Sequence, residues 1–227
     1  MNNSKLVSYV AYSPNNSGQR TMPVDRITPH CVVGQLGVKD IGALFSKTSY
    51  KASSNYGIGS DGSVGLYVDE DKRSWCSSSS ANDQRSITIE CASDTVHPYA
   101  MAQCVYDKLV DLCVDICQRY KKSRLIWIPN KQTALSYNPN SDEMLLTVHR
   151  WYAKKECPGE WLYSRLGALA KTVTDKLTLD SLYQDKTLYR VQIGAYRSRK
   201  LAEACVTLAK QYGFQDAFIT EIKDYYT

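Results

Sequence analysis

Across residues 26–173, short strand-like runs alternate with segments of helical period, and a chain patterned this way must bury a sheet beneath helices. Residues 26–34 read as a strand stopped by Gly34, and 38–47 as a helix through Ile41, Leu44 and Phe45. Residues 54–59 and 64–68 make a predicted hairpin, because Asp61-Gly62 supplies the positive φ that a tight turn needs. Residues 86–91 alternate apolar and polar, as a half-buried strand does. The strongest helix spans 98–120. There Met101, Cys104, Val105, Leu109, Leu112, Cys113 and Ile116 draw one apolar stripe, and Pro98 suits the first turn. Beyond it, 125–128 and 145–149 are strand-like, 130–142 is a polar loop, and 161–173 is again helical. The stretch 9–26, rich in Asn, Ser, Pro and Gly, reads as irregular.

At ~150 residues per domain, 227 residues suffice for one substantial core and a small appendix. The first domain is placed at 1–174, a connector with some helical character at 175–186, and a second unit at 187–227. In that tail Tyr189-Arg190-Val191-Gln192-Ile193 is strand-like, 199–212 is helical with Gly213 as C-cap, and 217–222 is a second strand. A β-α-β unit this small has a marginal core and should lean on the first domain or on a second copy. The net charge of +5 suits an acidic polymer without demanding nucleic acid. No apolar run approaches the ~18 residues of a membrane span. The first residues lack the apolar core of a secretory signal, so synthesis in a cytoplasm with reduced thiols is expected. The eight cysteines agree: Cys104, Cys113 and Cys117 share a helical stripe, and Cys31 and Cys91 interrupt strands, as small hydrophobes do.

Cys157 needs a different account. Only three histidines are present, His30, His97 and His149. His30 and His149 each close a strand-like run, and Cys157 follows His149 by eight positions. Two imidazoles and a thiolate are donors that zinc favours, and three protein ligands leave a fourth position for water. The spacing alone fits structural histidines and a buried thiol as well. His97, beside Pro98 at a helix start, reads as a capping or solvated side chain.

The order of motifs supplies the context. The lead-in Ser13-Pro14-Asn15-Asn16-Ser17-Gly18-Gln19-Arg20 is followed by Ile27-Thr28-Pro29-His30, Ser54-Asn55-Tyr56-Gly57-Ile58 and the Asp61-Gly62 turn. Then come Ser86-Ile87-Thr88-Ile89-Glu90, Thr147-Val148-His149-Arg150-Trp151 and Lys155-Glu156-Cys157-Pro158-Gly159. Together they resemble the zinc-dependent N-acetylmuramoyl-L-alanine amidases of the type-2 superfamily, which includes phage endolysins and peptidoglycan recognition proteins. The resemblance implies an α/β fold with a central mixed sheet flanked by helices. It implies one zinc ion per chain, held by His30, His149 and Cys157 in a groove at a sheet edge. It gives Glu90 the acid/base role and Lys155 a part in the oxyanion step, and places Asn55, Tyr56 and Trp151 along the substrate groove. Two positions depart from the family. Pro29 stands where a second histidine is common, and Ser54 where some members use a tyrosine, which shifts the burden onto Glu90.

The implied activity is hydrolysis of the amide between the lactyl group of N-acetylmuramic acid and L-alanine in bacterial peptidoglycan, with neither nucleic acid nor membrane as partner. An endolysin made in a host cytoplasm and released through a holin pore or on lysis fits best, and an autolysin second. Two rivals are a recognition module that holds stem peptides uncut, and a cell-wall peptidase with Cys157 or Cys31 as nucleophile. In the tail, residues 189–196 resemble the opening of a SPOR domain, which binds glycan strands stripped of stem peptides. The tail has half that module's length, so two chains could each contribute a half and form a homodimer.

Overall fold

The computed structural model describes residues 3–184, 192 and 194–221, which divide into two compact units, Met1–Gln184 and Asp185–Thr227. The first begins with strands β1 (Val7–Val10), β2 (Asn16–Gln19) and β3 (Arg26–Cys31), then helix α1 (Val38–Phe45). Strands β4 (Tyr56–Ile58), β5 (Val64–Leu66) and β6 (Lys72–Ser74) lead to α2 (Ser80–Arg85), β7 (Ser86–Cys91) and α3 (Gln103–Arg119). The unit closes with β8 (Arg124–Ile126), α4 (Lys131–Ser136), β9 (Glu143–Leu146), α5 (Glu160–Tyr163) and α6 (Leu166–Gln184). Seven strands form a mixed, mostly parallel sheet in the order β1-β5-β4-β7-β3-β9-β8, and the β4–β5 hairpin is its antiparallel step. Strands β2 and β6 make a separate antiparallel ribbon.

The central pair explains the rest. β3 and β7 run parallel with Thr28 beside Thr88 and His30 beside Glu90. Side chains alternate across a strand, so Ile27, Cys31, Ile87, Ile89 and Cys91 share one face. That face packs on Val105, Leu109, Leu112, Cys113 and Ile116 of α3, all within one buried cluster. The opposite face carries Arg26, Thr28, His30, Ser86, Thr88 and Glu90. Buried polar groups need partners, and these strands find them in each other. Thr28 Oγ1 lies 2.5 Å from Ser86 Oγ and 2.7 Å from Thr147 Oγ1, and Ser74 Oγ lies 2.7 Å from Thr88 Oγ1. Further along the same face the Tyr67 ring crosses Gly57 of the hairpin, where any Cβ would meet the ring at 2.7 Å. Gly62, at φ +79°, makes the hairpin turn.

Several expectations need correction. The helix expected at 98–120 begins only at Gln103: Pro98 lies in a loop where its carbonyl accepts from Trp161 N, so it caps no turn. Cys104, at the fraying start of that helix, is exposed, whereas Cys113 and Cys117 are buried as expected. The loop expected at 130–142 contains α4, capped by Asn130 accepting from Thr133 N; one buried residue, Ala134, leaves no stripe to read. The connector expected at 175–186 is helical through Gln184. Leu177 continues the buried row of Leu166, Leu169, Ala170 and Val173, and Thr174 brackets the backbone of Leu125 on edge strand β8. Strand β2 and the end of β1 fall in the segment read as irregular.

In the second unit, α7 (Arg199–Gln211) is followed by Gly213 at φ +98°, as a C-terminal glycine should be. The strand expected at 189–193 lies almost entirely outside the described residues. Residues 217–221 form no strand, since the described residues offer them no paired neighbour. Among the described residues no helix is long and apolar enough to cross a membrane. Leu112, fully buried between α3 and the sheet, tests the core: Leu112→Ala should destabilise the protein by roughly 2–5 kcal/mol in urea unfolding.

Candidate active site

The polar face of the sheet ends in the residues with metal-binding chemistry. His30, near the end of β3, is 1% exposed, and its Nδ1 lies 3.2 Å from Cys157 Sγ. His149 opens a one-turn 3₁₀ helix, His149–Trp151, just past β9; its ring lies 5.2 Å from that of His30. One donor atom each from His30, His149 and Cys157 lies within 4.8 Å of the other two. Tetrahedral zinc, bonding such donors at ~2.0–2.3 Å, needs them only slightly closer, about 3.5 Å apart. Cys157 is fixed through its backbone: its carbonyl accepts from Arg150 N at 3.1 Å, and the Arg150 guanidinium donates to Glu156 O at 2.6 Å.

One side chain ties these elements together. Asn82 of α2 donates to Thr28 Oγ1 at 3.0 Å and Ser77 Oγ at 3.2 Å. Its Oδ1 accepts from Thr147 Oγ1, Tyr152 OH and Arg26 Nη1. Next to it, the Asp83 carboxylate accepts from the backbone N–H of Cys76 and Ser77 at 3.1 Å each. The loop so held presents Ser78, whose Oγ lies 2.8 Å from His149 Nε2. An open groove of about 350 Å³ runs past this loop, lined by Lys51, Arg73, Trp75, Cys76, His149 and Lys155 among others.

Burial sets the charge states. His30 is held well below the ordinary imidazole value, by desolvation first and then by His149 beside it. His149 is lowered too, by burial and by the Lys155 charge. Both therefore favour the neutral form that binds metals. Burial pushes the Glu90 carboxyl up to about 7. His30 Nε2 and Glu90 Oε2 are buried without a hydrogen-bond partner. An orphaned buried atom costs about 1–3 kcal/mol, and the free Glu90 oxygen is one that a reacting proton would satisfy.

Residues 20–160 match the N-acetylmuramoyl-L-alanine amidase family. The chain belongs to that family. It is a peptidoglycan hydrolase whose scissile bond is the amide joining glycan to stem peptide. Residues 164–221 of the amidase match the SPOR domain, a match that starts in the helices packed on the sheet rather than at 187. Among solved structures, the AmpD derivative shares 21% identity, covering 74% of this chain and 96% of that one at a TM-score of 0.51. The Staphylococcus aureus hydrolase AmiA, solved with its ligand, shares 14% identity over 76% of this chain and 84% of its own, at 0.53. At these identities the likeness is one of fold, and it is the mixed sheet between helices described above. No curated protein matches the amidase.

Of the sequence-predicted site residues, the structure gathers His30, His149, Cys157 and Glu90, and sets Lys155 at the groove beside His149. It removes the three expected groove residues. Asn55 is fully buried, accepting from Arg20 and the Thr88 backbone, and Tyr56 is fully buried with its OH donating to Glu70 at 2.6 Å. Trp151 is 5% exposed and stacks on Trp127 at 5.2 Å. Trp75 takes the groove position instead. His97 is exposed and belongs to neither donor group. Sequence reasoning missed Cys76, Ser78 and Asn82. Ser79 followed three residues later by Asn82 is a helix-capping pattern, and Ser79 does accept from Asn82 N, so α2 at least had a readable signal. Asn82→Ala should lower stability by about 2–4 kcal/mol in thermal unfolding, because five side chains lose a partner at once.

Proposed function

We propose that His30, His149 and Cys157 hold one zinc ion and that the amidase cleaves the lactyl–L-alanine amide at that centre. The observation that carries this is the convergence of two imidazoles and a thiol from distant chain segments, within 4.8 Å of one another, at the head of an open groove. Bound there, zinc would lower the pKa of a water from ~15.7 to ~7 and polarise the substrate carbonyl.

The chain's own groups do the rest. Glu90 faces the same space as its cross-strand neighbour His30, with one oxygen partnered by Cys76 Sγ at 3.7 Å and the other free. With its pKa near 7, that free oxygen can take a proton from the attacking water and return it to the departing amine at neutral pH. Lys155 is exposed at the groove wall and places positive charge where the carbonyl oxygen becomes negative. Ser78 steadies the His149 ring through its hydroxyl.

A Cys157–His30 nucleophile pair would share the 3.2 Å contact. It would also need a third group to orient the base, and the far nitrogen of His30 has no partner. The thiol is moreover pushed well above its ordinary value by burial, opposite to what a thiolate nucleophile requires. Dialysis against a chelator should therefore abolish release of peptides with L-alanine amino termini from cell walls, and zinc should restore it. Persistence after chelation together with loss on thiol alkylation would establish the peptidase instead. Glu90→Gln should keep its zinc and lose about 10²–10⁴ in kcat.

For the second unit we propose self-association. On α7 and the residues after it, Leu201, Leu208, Tyr212, Phe214 and Phe218 are all more than half exposed, an apolar set that a second copy would cover. Sedimentation velocity should show a dimer at tens of micromolar (an order-of-magnitude range for a modest interface) that Leu208→Asp converts to monomer.

A further inference from the structure

Among the described residues two donor sets, not one, surround His30. Besides His149 and Cys157, it has Cys76 and Glu90 as neighbours, and one donor atom from each of His30, Cys76 and Glu90 lies within 4.8 Å of the other two. Cys76 Sγ donates to Glu90 Oε1 at 3.7 Å, while Glu90 Oε2 and His30 Nε2 are buried without any partner. His30 turns Nδ1 to Cys157 Sγ, which leaves Nε2 outside the first set. These donors are held in place. His30 and Glu90 are paired across β3 and β7, and Asp83 clamps the backbone N–H of Cys76 at 3.1 Å. A thiol, a carboxylate and an imidazole in one buried corner are the ligand types of zinc and cadmium. Cys76 also lines the groove, so the corner has a path to solvent.

We propose that Cys76 and Glu90, backed by His30, form a second site for a thiophilic divalent cation, and that filling it inhibits the amidase. On capture a metal–sulfur, a metal–oxygen and, at His30 Nε2, a metal–nitrogen bond form; the Cys76 thiol proton, any Glu90 carboxyl proton and the Nε2 proton of a ring already bound through Nδ1 leave to solvent, and no electron moves. The cation takes the oxygen of Glu90 that hydrolysis needs as proton acceptor. The second site fills after the first, since its ion displaces protons from Cys76, Glu90 and the shared His30 ring, whereas the first displaces only that of Cys157. The inhibition rests on the catalytic role given to Glu90 above; the binding does not.

Equilibrium dialysis of the metal-free full chain against zinc separates the two. The wild type should take up two equivalents, and Cys76→Ser or Cys76→Ala one. Cys104→Ser, which removes an exposed thiol, should still take two. Uptake of the first equivalent reports that a Cys76 variant is folded, and either variant that passes decides the matter. Zinc at the concentration filling the second site should cut wild-type cell-wall cleavage at least tenfold (the loss expected when a general base is withdrawn). The Cys76 variants, each normalised to its own activity with one equivalent, should keep theirs. A single equivalent in the wild type, or two in both Cys76 variants, overturns the site. Two equivalents with undiminished cleavage overturn the inhibition and leave the binding standing. Absence of cleavage at one equivalent would count against the amidase reading, while dialysis still decides the site.

Discussion

The side-chain amide of Asn82 is the interaction on which the site depends. It joins β3 through Thr28 and Arg26, the segment after β9 through Thr147 and Tyr152, and its own loop through Ser77. Those are the pieces that carry His30, His149 and Ser78. A buried amide with every bond made holds its neighbours in one arrangement, because any shift strands a polar group away from water. The thiol of Cys157 needs no such tie, since its loop is stitched to Arg150 directly.

Parallel pairing then decides where chemistry can occur. Side chains directly opposite on parallel strands project to the same face, so the register that sets Ile27 beside Ile87 also sets His30 beside Glu90, three residues on and on the other face. The face that packs on α3 is apolar and dry. Its reverse is a file of hydroxyls and amides that ends, at the carboxyl ends of the strands, in titratable groups, the place where open α/β sheets keep their ligands. The same burial that drives the Glu90 carboxyl up to about 7 keeps His30 neutral, so a proton acceptor and a metal ligand are prepared by one environment.

Much of this was legible in the chain. The apolar stripe of α3, the alternation in β7 and the Asp61-Gly62 turn are local signals, and each led to its element. His30, His149, Glu90 and Cys157 were legible because each stands in a motif. What escaped was set by tertiary context. Tyr56 and Trp151 are aromatic residues flanking site motifs, and nothing local distinguishes a groove wall from a core; only the hydrogen bond to Glu70 and the stack on Trp127 reveal the core. Leu177 and Thr174 extend α6 because they meet α3 and the edge of β8, contacts invisible along a polar stretch. Cys76 belongs to no motif or apolar pattern along the chain; the Asp83 clamp brings it to the carboxylate.

Two of the three members of the first donor set, His149 and Cys157, come after β9, the last of the described strands to join the sheet. A nascent amidase can therefore complete its entire β-scaffold while still owning a single imidazole of the set. The donor set is completed only after the strands of the sheet. A chain ending between Leu146 and Cys157 would carry every strand of the sheet but neither the full donor set nor α6, which holds the β8 edge.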